Sequence, residues 1–90
     1  MATSLHVGRK RIVTITASDA SSIPLGSLTV SSVGGGITAV VNPATNEVTV
    51  TGVVPGTYSV TYSAAGYQNA IESFTVSPLP TLIYTDGPEI

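Results

Sequence analysis

The stretch Gly52-Val-Val-Pro-Gly-Thr-Tyr-Ser-Val-Thr-Tyr-Ser-Ala-Ala-Gly-Tyr67 contains a turn, a full strand and the next turn. Pro55-Gly56 marks a reversal, because proline fixes φ and glycine supplies the positive φ that tight turns need. Tyr58, Val60 and Tyr62 then alternate with Thr57, Ser59 and Thr61, the period of a strand with one face in a core and the other in water. Gly66 closes the unit.

Working outward, the same alternation recurs in short segments and no helical period is present. The pattern predicts strands over Arg11–Ala17, Ser27–Val33, Ile37–Val41, Glu47–Thr51, Thr57–Ser63 and Gln68–Ser77, punctuated by Asp19–Gly26, Gly34-Gly35-Gly36, Asn42-Pro-Ala-Thr-Asn46 and Pro55-Gly56. Val13, Ile15 and Ala17 share one face of the first strand; Leu28 and Val30, then Val48 and Val50, point inward in later ones. Ile71 stands an odd step from Phe74 and Val76, which predicts a β-bulge near Glu72-Ser73. Pro78-Leu79-Pro80 cannot continue a central strand, so the sheet is expected to end at Ser77. The expected fold is all-β: an antiparallel sandwich of six to seven strands, immunoglobulin-like or transthyretin-like. Its sandwich covers residues 11–77, between an extended N-terminal arm at 1–10 and a C-terminal arm at 78–90.

Ninety residues make one domain and one core. Charged residues are 9% of the chain and hydrophobic residues 42%, with a mean hydropathy of +0.40. Against a usual charged share of about 25%, this leaves two readings of the surface: one covered by neighbours in an assembly, or one that solvates itself through Ser and Thr hydroxyls. All three basic residues lie in Arg9-Lys10-Arg11, while Asp86 and Glu89 close the sequence. Three cations neutralise only about three phosphates and no aromatic is interleaved, so contact with protein is favoured over nucleic acid. A solvated cluster guarding a strand edge is the plainer alternative. No long apolar run or signal peptide is recognised, cysteine is absent, and neither a membrane nor a disulfide framework is expected.

No catalytic constellation stands out, and an enzyme is not expected. His6 is the only histidine, the acids Asp19, Glu47, Glu72, Asp86 and Glu89 are scattered, and no calcium loop motif occurs. No cofactor or metal is therefore expected, and Gly34-Gly35-Gly36 lacks the helix and Lys-Ser/Thr of a phosphate cradle. The tyrosines are assigned to core packing, at least one with its hydroxyl tied to backbone. Lys10, Glu47 and Asn69 occur in the order of a spontaneous Lys–Asn cross-link, although Lys10 between two arginines is poorly placed to lose its charge.

The segments Val13–Leu28, Ile23-Pro-Leu-Gly-Ser-Leu-Thr-Val30, Val54-Pro-Gly-Thr-Tyr-Ser-Val60 and Ala65-Gly-Tyr67 resemble carboxypeptidase regulatory-like domains of transthyretin-like or immunoglobulin-like fold, over about residues 12 to 77. Small domains of this kind are similar to those that decorate or cement bacteriophage capsids and tails. With the two arms, that resemblance implies a virion structural protein made in the host cytoplasm, a capsid decoration protein bound to the major capsid protein or to copies of itself. The contact residues expected are Leu5, His6, Val7, Arg9, Lys10 and Arg11 in one arm, and Leu79, Leu82, Ile83 and Tyr84 in the other. The rival reading is a carbohydrate- or cell-surface-binding module using the loops Ser18–Gly26 and Asn42–Asn46.

Overall fold

The computed structural model describes residues 2–90. Seven strands form two sheets: β1 (Thr3–His6), β2 (Lys10–Thr14), β3 (Thr29–Val33), β4 (Ile37–Asn42), β5 (Glu47–Gly52), β6 (Gly56–Ser63) and β7 (Ala70–Ser77). One sheet runs β1-β7-β6-β3 and the other β2-β5-β4. The strand orders β7-β6-β3 and β2-β5-β4 are those of the G-F-C and B-E-D sheets of an immunoglobulin-type sandwich, with β1 added at the β7 edge.

Small β-branched residues fill the space between the sheets. Val48 and Val50 of β5 are completely buried, as are Val60 of β6 and Phe74 of β7; Leu5, Leu28, Ile37, Tyr62 and Val76 complete the core. The alternation read in β5 and β6 is therefore the alternation of the packed faces. The β4–β5 hairpin turns through Asn42–Asn46. Asn42 Oδ1 accepts from the Ala44 N–H at 3.0 Å, and Asn46 takes a left-handed φ of 58° that asparagine tolerates better than most residues.

Several expectations are corrected. Residues 3–6 are not an arm but an edge strand, paired parallel to β7 with Leu5 beside Val76. Leu5 is only 4% exposed and Val7 packs partly buried against the core. The sandwich is thus not wholly antiparallel, and these two side chains pack into or against its own interior. Met1, the first residue of the expected arm, lies outside the described residues. The β2 strand stops at Thr14, before the expected Ala17, and β3 begins at Thr29, although Leu28 ahead of it is buried.

No bulge interrupts β7. Its pairing with β6 is continuous from Gly56 opposite Val76 to Tyr62 opposite Ala70. Ile71 is out of step because it lies on the outer face, 71% exposed, and Glu72 is the residue that points inward with Phe74 and Val76. β7 ends at Ser77, ahead of Pro78.

The loops fall at two ends. The β2–β3 loop, the β4–β5 turn and the β6–β7 loop share one end. The β1–β2 crossing, the β3–β4 and β5–β6 connections and the exit from β7 share the other. Because Leu5 belongs to the core, Leu5→Ala should lower stability by about 2–5 kcal/mol. Chemical denaturation reads this directly; a loss below about 0.5 kcal/mol, usual for a surface site, would contradict the placement of β1.

Candidate interaction surfaces

At the crossing end, the N-terminal chain passes from one sheet to the other. The Val7 N–H donates to the Ser77 carbonyl at 3.0 Å, and the Gly8 N–H donates to the Gly52 carbonyl at 2.9 Å. The Gly52 N–H in turn donates to the Arg9 carbonyl at 3.2 Å. Gly8 has a φ of 78°, which lets the chain turn sharply between β7 and β5. His6 is half-buried opposite Ser77; Arg9, Lys10 and Arg11 are exposed just beyond. The Arg11 Nε donates to the Ser4 carbonyl at 2.6 Å, bridging the edge strands of the two sheets.

The same end holds a tyrosine corner. The Tyr58 hydroxyl donates to the carbonyl of Val54 at 2.9 Å and lies 3.2 Å from that of Pro55, at the β5–β6 corner. Its ring lies against glycines. A Cβ on Gly34 would stand 2.6 Å from Tyr58 Cδ1, and one on Gly36 would overlap the phenol oxygen. The Gly36 carbonyl accepts from the N–H groups of Val53 and Val54. Gly34 and Gly36 are therefore the slot for Tyr58, a role that composition does not disclose.

A half-buried carboxylate links three strands. Glu72 on the inner face of β7 accepts from Thr3 Oγ1 of β1 and from the Tyr62 hydroxyl of β6, each at 2.7 Å. Burial, with the hydrogen bond to Glu72 and its charge adding, pushes the Tyr62 phenol well above its ordinary value of 10.0. The expected bulge at Glu72-Ser73 hid this contact; uninterrupted alternation back from Phe74 would have placed Glu72 on the inner face.

At the opposite end, a cleft of about 400 Å³ opens between the β2–β3 and β6–β7 loops, lined by Ile15, Asp19, Leu28, Tyr67 and Gln68 among others. Asp19 Oδ1 accepts from the Ser21 N–H at 3.0 Å and the Ser21 hydroxyl at 2.6 Å, and the side-chain bond, then the backbone one, holds its carboxyl below the usual range. With the Ser21 proton committed to Asp19, the Tyr67 hydroxyl is the donor shared between Ser21 Oγ at 2.9 Å and the Ser22 carbonyl at 3.2 Å. Asn46, 6% exposed, donates from Nδ2 to the Ile23 carbonyl at 3.1 Å and fastens the β4–β5 turn to the β2–β3 loop.

The residues proposed for a Lys–Asn cross-link do not meet. Lys10 pairs with Thr51 at the crossing end, while Glu47 pairs with Thr14 at the opposite end and Asn69 lies exposed in the β6–β7 loop. Among the described residues there is no cluster of three or more His, Cys, Asp or Glu side chains able to hold a metal, and no helix long and apolar enough to cross a membrane.

Beyond β7 the chain forms no strand or helix. Leu79 is 55% exposed, and Leu82, Ile83 and Tyr84 are 91%, 94% and 84% exposed. The molecule measures 70 × 23 × 21 Å, against about 27 Å for an eight-residue strand, so this segment stands away from the sandwich.

Tyr62→Phe tests the hydrogen bond to Glu72. Because the folded protein holds the phenol proton more tightly than the unfolded chain, the stabilisation is full below the unfolded value of 10.0 and is lost as pH rises beyond it. The variant should be about 1–2 kcal/mol less stable at neutral pH and should lose part of the wild-type decline above pH 10, measured by denaturation across pH. Gly36→Ala should cost about 1–3 kcal/mol or more by displacing Tyr58. In the Gly36→Ala, Tyr58→Ala double variant the penalties should fall short of additivity, since the clash has been removed.

The family model described as phage tail tube protein C-terminal domain matches residues 11–79. That span runs from the second residue of β2 through β7 and ends two residues past the last strand. No curated protein matches the chain.

Proposed function

This chain belongs to the phage tail tube protein C-terminal domain family and is a structural protein of the phage virion, and from that premise we propose that it works on the tail tube, as a non-enzymatic domain held by contacts with neighbouring subunits. The family match over most of the sandwich carries this reading. It redirects the expected capsid decoration role: the assembly named by the family is the tail tube, a different place in the particle from the shell, and the major capsid protein gives way to tail subunits as partner.

The segment from Pro78 onward supplies the contacts. Leu79, Leu82, Ile83 and Tyr84 have no surface of their own domain to cover, and large apolar side chains in water favour burial by about 25 cal/mol per Å². Arg9, Lys10 and Arg11, with half-buried His6, flank the exit of this segment and add a basic margin. Leu5 and Val7 are withdrawn from the contact set because the sandwich already buries them.

Particles disrupted into heads and tails and separated on a density gradient test the location. The chain should band with tails in fixed ratio to a tail subunit; banding with heads would restore the shell role, and absence from both would remove the virion role. Deletion of residues 79–90 should abolish attachment while leaving the melting transition of the sandwich nearly unchanged.

A second reading is favoured by the cleft at the far end. Tyr67 with Asp19 and Gln68 above an apolar floor of Ile15 and Leu28 offers a ring face and hydrogen-bonding groups, the chemistry that holds a sugar. Tyr67→Ala should abolish any binding to cell-surface glycans without affecting attachment to the particle.

A further inference from the structure

The contact segment beyond β7 has a counterpart on the domain itself. β2 is an edge strand, paired only with β5, so every second N–H and C=O along its other side faces away from the sheet. Its outward residues are Lys10, Ile12 and Thr14, with Ile12 67% exposed. In the C-terminal segment, Thr81-Leu-Ile-Tyr-Thr-Asp86 is the strand-competent part: β-branched and aromatic residues fill it, and Pro80 and Pro88 bound it, since proline cannot donate to a ladder. Its last five residues, 82–86, match the five of β2 in length.

We infer that residues 82–86 of one copy add to the three-stranded sheet of a second copy, antiparallel to its β2, as a fourth strand. This rests on the reading of the segment as a contact arm, and names its partner. Charge sets the direction. Antiparallel pairing with Asp86 opposite Lys10 places Tyr84 opposite Ile12 and Leu82 opposite Thr14 on the outer face. Ile83 then lies beside Val13 on the inner face, extending the core. Glu89 follows toward Arg9. The other carboxylates do not answer the basic triplet: Asp19 is bound by Ser21, Glu72 by Thr3 and Tyr62, and Glu47 sits opposite Thr14 at the far end of β2. A parallel arrangement would carry Asp86 toward Glu47, setting like charges together.

The donor is a second copy because the chain's own segment cannot reach this register. It leaves β7 at Ser77, bonded to Val7, next to the Lys10 end of β2. To lie antiparallel it would have to climb about 14 Å to Thr14 within five residues, two of them prolines, and reverse at once with no residues left for a turn. In a neighbouring copy no such return is needed. Main-chain pairing of this type gives affinity through the ladder and specificity through alternate side chains.

The absence of cysteine makes the register testable by disulfide formation. Opposed residues on neighbouring strands bring Cβ atoms to about 4.5–5.5 Å, near disulfide range, whereas residues shifted along the strand do not. Full chains carrying Ile12→Cys and full chains carrying Tyr84→Cys are mixed under mild oxidation at the concentration reached on particles. The expected result is a mixed disulfide dimer, with the offset pair Thr14→Cys and Tyr84→Cys giving about tenfold less. Leu82→Pro, which removes the N–H that faces Thr14 at the free edge of β2, should lower the yield of the matched pair to the offset level.

Equal yields from the matched and offset pairs would overturn the register. A disulfide formed only within a chain carrying both Ile12→Cys and Tyr84→Cys would show the segment closing on its own strand. No disulfide, while deletion of residues 79–90 still abolishes attachment to tails, would overturn the second-copy partner and leave the arm reading intact. No disulfide and no effect of the deletion would remove both.

Discussion

Gly52 is where the two sheets are fastened to each other by backbone. It accepts from Gly8 and donates to Arg9 at the last residue of β5, while a Cβ there would stand 3.0 Å from both the His6 carbonyl oxygen and Val76 Cγ1. Any side chain would press the N-terminal crossing off the sandwich. The close approach matters because β1 and β2 belong to different sheets: one passage of chain donates an edge to β7 and then to β5. Leu5 fills the space between the sheets just ahead of that passage, and Arg11 reaches back from β2 to the Ser4 carbonyl of β1. In a core where valine is the commonest residue and only Tyr62 and Phe74 are aromatic, this lacing adds closure that larger side chains supply elsewhere.

The strands legible in sequence were those whose two faces differ in chemistry. β5 and β6 alternate valine or tyrosine with threonine or serine, and their inner and outer residues are found as the period assigns them. β1 escaped because four residues with one buried leucine make no pattern, and its partner lies at the other end of the chain. Ile71 misled for the opposite reason: an apolar residue on a solvent face breaks the expected alternation without any change in backbone. The Tyr58 slot and the Glu72 contacts depend on residues brought together from distant strands, so turn composition alone reads Gly34-Gly35-Gly36 as a plain reversal. The exposed apolar segment after Pro80 was legible, because prolines fix where a sheet must stop. The burial of Leu5 and Val7, which divides the expected contact set, was not.

The low charge of the chain admitted two explanations, and the fold gives each its own surface. The outer face of the four-stranded sheet is a field of hydroxyls: Thr57, Ser59, Thr61 and Ser63 on β6, flanked by Ser73 and Thr75 on β7 and by Thr29 and Ser31 on β3. Val33 and Ile71 interrupt it on strands that β6 keeps apart. Such a face is solvated through side chains that carry no charge. On the three-stranded sheet, Ile12 and Val40 flank Thr49 in one row, both about two-thirds exposed. Each sheet thus exposes two large apolar side chains, but only on the three-stranded sheet do they share a row, beside the basic edge, and the longest exposed apolar run is the segment that leaves beside it.

This division gives the domain a polarity. The crossing, the basic triplet and the departing segment share one end, so a force applied through that segment enters where the two sheets are laced by backbone at Gly52 and where the Tyr58 corner braces the turn. The other end is made of loops, joined by the Asn46 tie to the β2–β3 loop and by the Asp19–Ser21–Tyr67 hydrogen bonds. Load applied through the terminal segment pulls on Ser77, whose carbonyl is held by Val7 and whose neighbours run antiparallel to β6 and parallel to β1. The strand bearing the load is therefore clamped on both sides over Phe74–Val76, the part next to the pulled end, and it must shear against both neighbours there to detach. An edge strand in that position would have one ladder to lose, and the placement of β1 outside β7 is what turns the load-bearing strand into an interior one.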